Sequence, residues 1–199
     1  MRILIIGSEG TVGKCAVAAL KPRHEIVRAG RKSGDITVDL TKPDSIAAMY
    51  KAAGKVDAVV ACAAHAHFGP LTAMTSQQFM IGVNDKLMGQ VNLVLQGIAH
   101  VNDNGSFTLT SGILDRDPIR QGANASTVNA ALAGFVMAAA IEMPRGMRIN
   151  VVSPGLLQDS VLKYDGFFPG HEPVSSDRVG LAYVKSVEGA MTGKVIAIG

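Results

Sequence analysis

The sequence predicts an α/β fold: a doubly wound parallel sheet of about seven strands, with helices on both faces in a three-layer α/β/α stack. Three observations predict it. Short β-branched runs alternate with helix-length segments along all 199 residues, the order that parallel strands joined by right-handed crossovers produce. Hydrophobic residues make up 48% of the chain and charged ones 18%, enough for one domain with a substantial core. A glycine cluster sits directly between the first strand and the first helix.

Arg2 to Ile6 reads as a buried strand ending at Gly7. Thr11 to Leu20 follows as a helix with small residues for close packing, broken by Pro22. Glu25 to Arg28 is a second strand and Ile36 to Val38 a weaker third. Pro43 suits the first turn of a helix over Asp44 to Ala53. Val56 to Cys62 is a fourth strand, and Pro70 and Thr75 open a long helical region, about Ser76 to His100. Ser106 to Thr110 is a fifth strand, Ala123 to Met143 a long Ala-rich helix and Met147 to Val152 a sixth strand. Residues 153–174 carry Pro154, Gly155, Gly166, Pro169, Gly170 and Pro173 and read as an irregular loop. Ser175 to Val187 is the last helix and Val195 to Ile198 the last strand. With no repeat, low-complexity tract or linker, residues 1–199 form a single domain.

Composition narrows the function. No stretch reads as the roughly 20 apolar residues of a membrane span, and Ile3 to Ile6 is too short for a signal-peptide core. Cys15 and Cys62 match no metal or redox spacing, so a cytoplasmic protein with two free thiols is expected. The net charge of +3, without a basic run and with 5% aromatics, argues against a nucleic-acid surface. The mean hydropathy of +0.26 implies apolar surface covered by a partner subunit.

Gly7-Ser8-Glu9-Gly10-Thr11-Val12-Gly13 follows a strand and opens a helix. In that context one glycine permits the tight turn, another lets the backbone approach a pyrophosphate, and the last lets the helix pack on the sheet. The helix N-terminus offers free N–H groups and partial positive charge to the anion. This is the turn of a Rossmann-like dinucleotide site, with Glu9 expected to point to solvent. After the second strand a ribose-binding carboxylate would indicate NAD, whereas a cation indicates NADP. The sequence supplies Arg31, Lys32 and Ser33. Arg31 offers a planar fork to a 2′-phosphate, so NADP(H) is favoured over NAD(H); the alternative is a solvated basic loop.

At this point the chain resembles the short-chain dehydrogenase/reductase family, over nearly its whole length. Asp39-Leu40 is similar to the family's acidic-apolar pair at the adenine. Ala61-Cys62-Ala63-Ala64 stands where the family has Asn-Asn-Ala-Gly, which places Ala63 at the cofactor. Asn84 resembles the helix asparagine of the active-site tetrad, and Ser111 the serine that bonds the substrate carbonyl. Asn150-Val151-Val152-Ser153-Pro154-Gly155 is similar to the sixth-strand motif, whose proline and glycine border the nicotinamide. Thr192-Gly193-Lys194-Val195 resembles the last turn and strand.

The resemblance breaks at the catalytic Tyr-x-x-x-Lys. Alignment on Ala130-Ala131-Leu132 puts Ala125 at the tyrosine and Asn129 at the lysine; a shift of one gives Asn124 and Val128. The three tyrosines are Tyr50, Tyr164 and Tyr183, none of them in this helix. Hydride addition to a carbonyl needs a proton, and general acid–base catalysis is worth about 10²–10⁴-fold. In the lysine's place Asn129 could still hydrogen-bond the nicotinamide ribose, but it carries no charge. Tyr164, in the loop after Pro154-Gly155, is one substitute, the alternative being an apolar cover with Phe167 and Phe168. His65 and His67 are others, or simply exposed loop residues; they have no third ligand for a metal. Asp115, after the Ser111 strand, is a third candidate to protonate the substrate, but Arg116 beside it points to a solvated loop.

The resemblance also implies a homodimer through helices about 76–100 and 123–143, with Ala131, Ala138 and Ala139 available for close contact; a helix buried within the monomer is the alternative. Two functions follow. One is an NADP-dependent oxidoreductase acting on a carbonyl or alcohol with a non-standard proton donor. The other is a non-catalytic NADP(H)-binding sensor.

Overall fold

The computed structural model describes residues 1–199. Seven strands form one sheet: β1 (Arg2–Ile6), β2 (Glu25–Gly30), β3 (Ile36–Thr37), β4 (Val56–Ala61), β5 (Val101–Thr110), β6 (Arg148–Pro154) and β7 (Val195–Ile198). Their order is β3-β2-β1-β4-β5-β6-β7, and every neighbouring pair is parallel. The helices are α1 (Thr11–Leu20), α2 (Pro43–Ala53), α3 (Ser76–Gly82), α4 (Met88–Gly97), α5 (Ala123–Glu142) and α6 (Ser176–Glu188).

Residue alternation along the strands divides the core. Leu4 and Ile6 of β1 and Val59 and Ala61 of β4 face a cluster completed by α2, α4 and α5. Ile3, Ile5, Ala58 and Val60 face the opposite cluster, completed by α1 and α6. Both faces of the sheet are therefore covered, as all-parallel sheets require. The strand order reverses between β1 and β4, which opens a crevice at their carboxyl ends, the usual ligand position in such sheets.

Most element boundaries match the sequence reading, and the departures have physical causes. β5 begins at Val101 rather than near Ser106, because Val101 pairs with Val56 before a register shift to Ala58–Ser106. Polar Asn102-Asp103-Asn104 hides that extension. The long helix expected over 76–100 is broken by a π-helical turn, Val83–Leu87, between α3 and α4. β6 continues to Pro154, and the loop after it holds two 3₁₀ turns, Gln158–Ser160 and Leu162–Tyr164. Its neck is fastened by a parallel bridge from Leu157 to Val174. α5 is 20 residues long with a hydropathy of 1.4, so by length and composition it could cross a membrane. Leu132 and Val136 nevertheless bury one face of it against the sheet.

Two tyrosines belong to this core. The Tyr50 hydroxyl donates to the Leu93 carbonyl at 2.6 Å. Thr110 Oγ1 gives its proton to the Ala61 carbonyl at 2.6 Å, so Tyr183, also 2.6 Å from Thr110 Oγ1, is the donor of that bond. Burial holds both phenols above their ordinary range. Replacing Tyr183 with Phe removes one buried hydrogen bond at nearly constant volume; a loss of about 1 kcal/mol is expected in urea unfolding.

Candidate functional site

The glycine turn is built as its residue types require. Gly7 has φ +79, and a Cβ there would lie 2.6 Å from the Ala63 Cβ. Its N–H extends the sheet by bonding the Ala29 carbonyl at 2.7 Å. A Cβ on Gly13 would overlap the Gly7 carbonyl oxygen, so only glycine lets α1 start this close to the turn. Gly10 donates to the Gly7 carbonyl at 3.1 Å and precedes α1, whose N-terminus receives no side-chain cap. The first N–H groups of α1, at Thr11, Val12 and Gly13, thus aim at the crevice without an intrahelical partner. Ser8 is buried, and Glu9, expected in solvent, is exposed but held by Arg28 at 3.1 Å.

Two cavities meet beside this turn, with Ala63 lining both. The smaller, about 210 Å³, includes Gly7, Arg31, Leu40 and Asp85 in its wall. The larger, about 650 Å³, is reached by Thr11, Val12, Ser111, Asn129, Pro154 and Gly155. Each arrives on the end of an element. Ser111 continues the β5 ladder by donating its N–H to the Val152 carbonyl at 2.9 Å, and Gly155 continues β6 by donating to the Ile198 carbonyl at 2.6 Å. Ala125 and Asn129 lie one turn apart on α5 and both line the cavity, whereas Asn124 faces α3, donating to the Phe79 carbonyl at 2.7 Å. Asn129 gives its Nδ2 to the Gly112 carbonyl at 3.2 Å, and its Oδ1 is buried without a partner. An acceptor left in that state suits a ligand hydroxyl. The uncapped helix, the glycine cradle and this orphaned acceptor fit a dinucleotide.

Several predicted residues lie elsewhere or are otherwise engaged. Arg31 is 58% exposed and bridges Asp39 and Asp85, both at 3.4 Å. Lys32 and Ser33 are exposed in the turn beyond it. Asp39 Oδ1 accepts from the N–H and hydroxyl of Thr41, bonds that lower its pKa. Asn84 is exposed on the π turn and lines neither cavity. The residue of that turn that reaches the larger cavity is Lys86, whose Nζ donates to the Ser111 carbonyl at 2.9 Å. Extra width in the π turn rotates Asn84 outward, a shift that α-helical spacing does not anticipate.

Asp115 corrects the solvated-loop reading. Its side chain is 8% exposed. It accepts from the Ser111 hydroxyl at 3.2 Å, the Ser153 hydroxyl at 2.9 Å and Arg116 at 2.9 Å. The Asp115-Arg116 pair would have been legible only with Ser111 and Ser153 placed on adjacent strands. Tyr164 lines the larger cavity, 37% exposed and edge-on to Phe168 with centroids 6.0 Å apart. His65 lines it too, its backbone N–H bonded to Asp85 at 3.1 Å, while the backbone N–H of His67 bonds Asn124 at 2.9 Å. Burial pushes the Cys62 thiol up to about 12, which leaves it protonated near neutrality.

A family model described as enoyl-(acyl carrier protein) reductase matches residues 14–173. Among solved structures, the protein lin1944 from Listeria innocua is 49% identical with full coverage of both chains and a TM-score of 0.99. A small-chain dehydrogenase in complex with NADPH is 21% identical, covering 100% of this chain and 96% of its own, with a TM-score of 0.87. A short-chain type dehydrogenase/reductase from Mycobacterium ulcerans is 20% identical, covering 99% and 87%, also with a TM-score of 0.87. No protein of curated function matches.

Gly13→Ala forces the α1 N-terminus away from Gly7. A loss of about 1–3 kcal/mol is expected from such overpacking, read as a lower urea midpoint with an unchanged m-value.

Proposed function

We propose that this chain, which belongs to the short-chain dehydrogenase/reductase family, is an NADP(H)-dependent oxidoreductase that interconverts a carbonyl and an alcohol without a tyrosine on its long helix. Membership of the family implies a nicotinamide dinucleotide, which when bound supplies or accepts hydride. The observation that carries the reading is the junction of the two cavities at Ala63, over the N-terminus of α1. The smaller cavity has the dimensions of an adenine pocket, and the larger has room for nicotinamide and a substrate.

Two features support the phosphate preference and the substrate class. Arg31 holds Asp39 and the buried Asp85 at 3.4 Å each; its pair with Asp39 lies toward solvent, where such pairs contribute at most about 1 kcal/mol. A 2′-phosphate offering a bidentate bond competes well for it. The larger cavity pairs polar Ser111 and Asn129 and the cation Lys86 with Phe68, Ile113, Leu114 and Phe168, so the substrate carries its carbonyl or alcohol on an apolar body. Asn84 has no part in this reading, and Tyr164 serves as a wall of the substrate loop. The exposed Leu95 of α4 and Met137 and Ile141 of α5 favour pairing with a second copy through these helices.

Calorimetric titration is expected to give NADPH at least a tenfold advantage over NADH. Arg31→Ala should weaken NADPH by about 10–100-fold, the equivalent of about 1.5–3 kcal/mol for bonds to a charged group, and leave NADH nearly unchanged. No affinity for any of the four nicotinamide dinucleotides would sink the proposal. For the assembly, Ile141→Glu should shift sedimentation from dimer to monomer; a wild-type chain that is already monomeric at micromolar concentration refutes the pairing.

A further inference from the structure

A substrate oxygen that has received the electrons of a carbonyl bond needs a proton, and α5 presents only Ala125 and Asn129 to it. Tyr50 and Tyr183 bond within the core, and Cys62 is held neutral by burial; Tyr164 lines the cavity from the loop after β6, edge-on to Phe168 and partly exposed. Two side chains approach the turn after β5 from opposite helices. Lys86 Nζ reaches the carbonyl of Ser111 at 2.9 Å, and Asn129 Nδ2 reaches the carbonyl of Gly112 at 3.2 Å. An ammonium and an amide therefore flank two consecutive peptide units at the floor of the larger cavity, which both residues line.

Ser111 sharpens the assignment. Its single hydroxyl proton goes to Asp115 at 3.2 Å, so its oxygen meets the cavity as an acceptor. A substrate carbonyl, itself an acceptor, must find its donor elsewhere. Lys86 spends one N–H on the Ser111 carbonyl and has two more to offer.

We propose, resting on the oxidoreductase reading above, that Lys86 is the acid–base group of this site, exchanging a proton with the substrate oxygen beside Ser111. In the reducing direction the carbonyl carbon gains a C–H bond from the hydride of the reduced dinucleotide, which is thereby oxidised by two electrons. The carbonyl π pair moves to oxygen. That oxygen takes a proton from Lys86 Nζ, forming the alcohol O–H and leaving a neutral amine that solvent reprotonates. The product hydroxyl can then donate to Ser111 Oγ.

The charges around Lys86 suit this exchange. Asp115, from the turn after β5, favours its ammonium form, but Asp115 is itself shared with Arg116. His65, from the loop after β4, and Lys163 and Tyr164, from the loop after β6, line the same cavity; α5 adds no charge there. Asp85, next in the chain, is engaged by Arg31 and the His65 N–H. Desolvation outweighs Asp115 and lowers Lys86 from 10.5 to about 8, in the range useful to a general acid near neutral pH. Reduction, which needs the ammonium, should fall as pH rises through about 8. Alcohol oxidation, which needs the amine, should rise through the same value.

The test is competitive acetylation of the whole chain with acetic anhydride across the pH range, read for each lysine by peptide mass spectrometry, with and without NADP⁺. Lys86 is expected to label with a midpoint near 8, below the ordinary lysine value of 10.5, and to be shielded by NADP⁺. In parallel, NADPH oxidation is followed with 4-nitrobenzaldehyde, 2,3-butanedione and 9,10-phenanthrenequinone. Lys86→Met should lower kcat by about 10²–10⁴-fold with NADPH affinity retained, and Lys86→Arg should keep the bond to Ser111 while abolishing the fall in reduction above pH 8. Labelling of Lys86 along with ordinary lysines, or an undiminished kcat in Lys86→Met, overturns the assignment while the oxidoreductase reading stands. A wild-type chain with no NADPH affinity overturns that reading instead. Binding without turnover of any of the three carbonyls overturns both.

Discussion

An all-parallel sheet with helices on both faces leaves no polar face of its own. The central strands β1, β4 and β6 bury one set of side chains against α2, α4 and α5 and the alternate set against α1 and α6. Polar side chains can meet water in numbers only at the strand ends. At the carboxyl end the chain must also leave the sheet in opposite directions after β1 and β4, and that divergence leaves a crevice no side chain fills. The glycine turn, the Ser111 turn and the Pro154-Gly155 turn are all set by this geometry. Each is the continuation of a ladder whose last bonds, from Gly7 to Ala29, Ser111 to Val152 and Gly155 to Ile198, fix where the backbone goes.

The fold was legible wherever one local signal decided the structure. α1 and β1 needed only a β-branched run, glycines and small residues, and their bounds agree with those read from the sequence. Asn124 against Ala125 was an ambiguity of helical register, and packing resolves it: Asn124 is used between α3 and α5, while Ala125 meets the cavity. What stayed illegible depends on residues far apart in sequence. Asp115 looks solvated beside Arg116 until Ser153, 38 positions away, lies next to it. Lys86 looks like an ordinary surface cation of an amphipathic helix. Only the π turn and the position of β5 bring its ammonium to Ser111.

Charge in the cleft is arranged in two groups of opposite net charge, one at each end of the Ala63 junction. Beside the smaller cavity a single guanidinium serves two carboxylates, Asp39 and Asp85. Beside the larger cavity Asp115 gathers Arg116 and two serine hydroxyls, with Lys86 near by. In the first group the guanidinium is exposed and its long pair with Asp39 exchanges partners at low cost, while Asp85 stays buried. The second is largely withdrawn from water, where a carboxylate surrounded by donors keeps a fixed geometry.

The π turn between α3 and α4 carries a consequence for descent as well as for geometry. An α-helix advances about 100° per residue, so loss of the one surplus residue would wind α3 by more than a quarter turn relative to α4. A different member of the Asn84-Asp85-Lys86 triplet would then point inward, exchanging an amide, an acid or a base without any substitution. Single-codon deletions at this spot are thus a short evolutionary path between distinct chemistries on one scaffold.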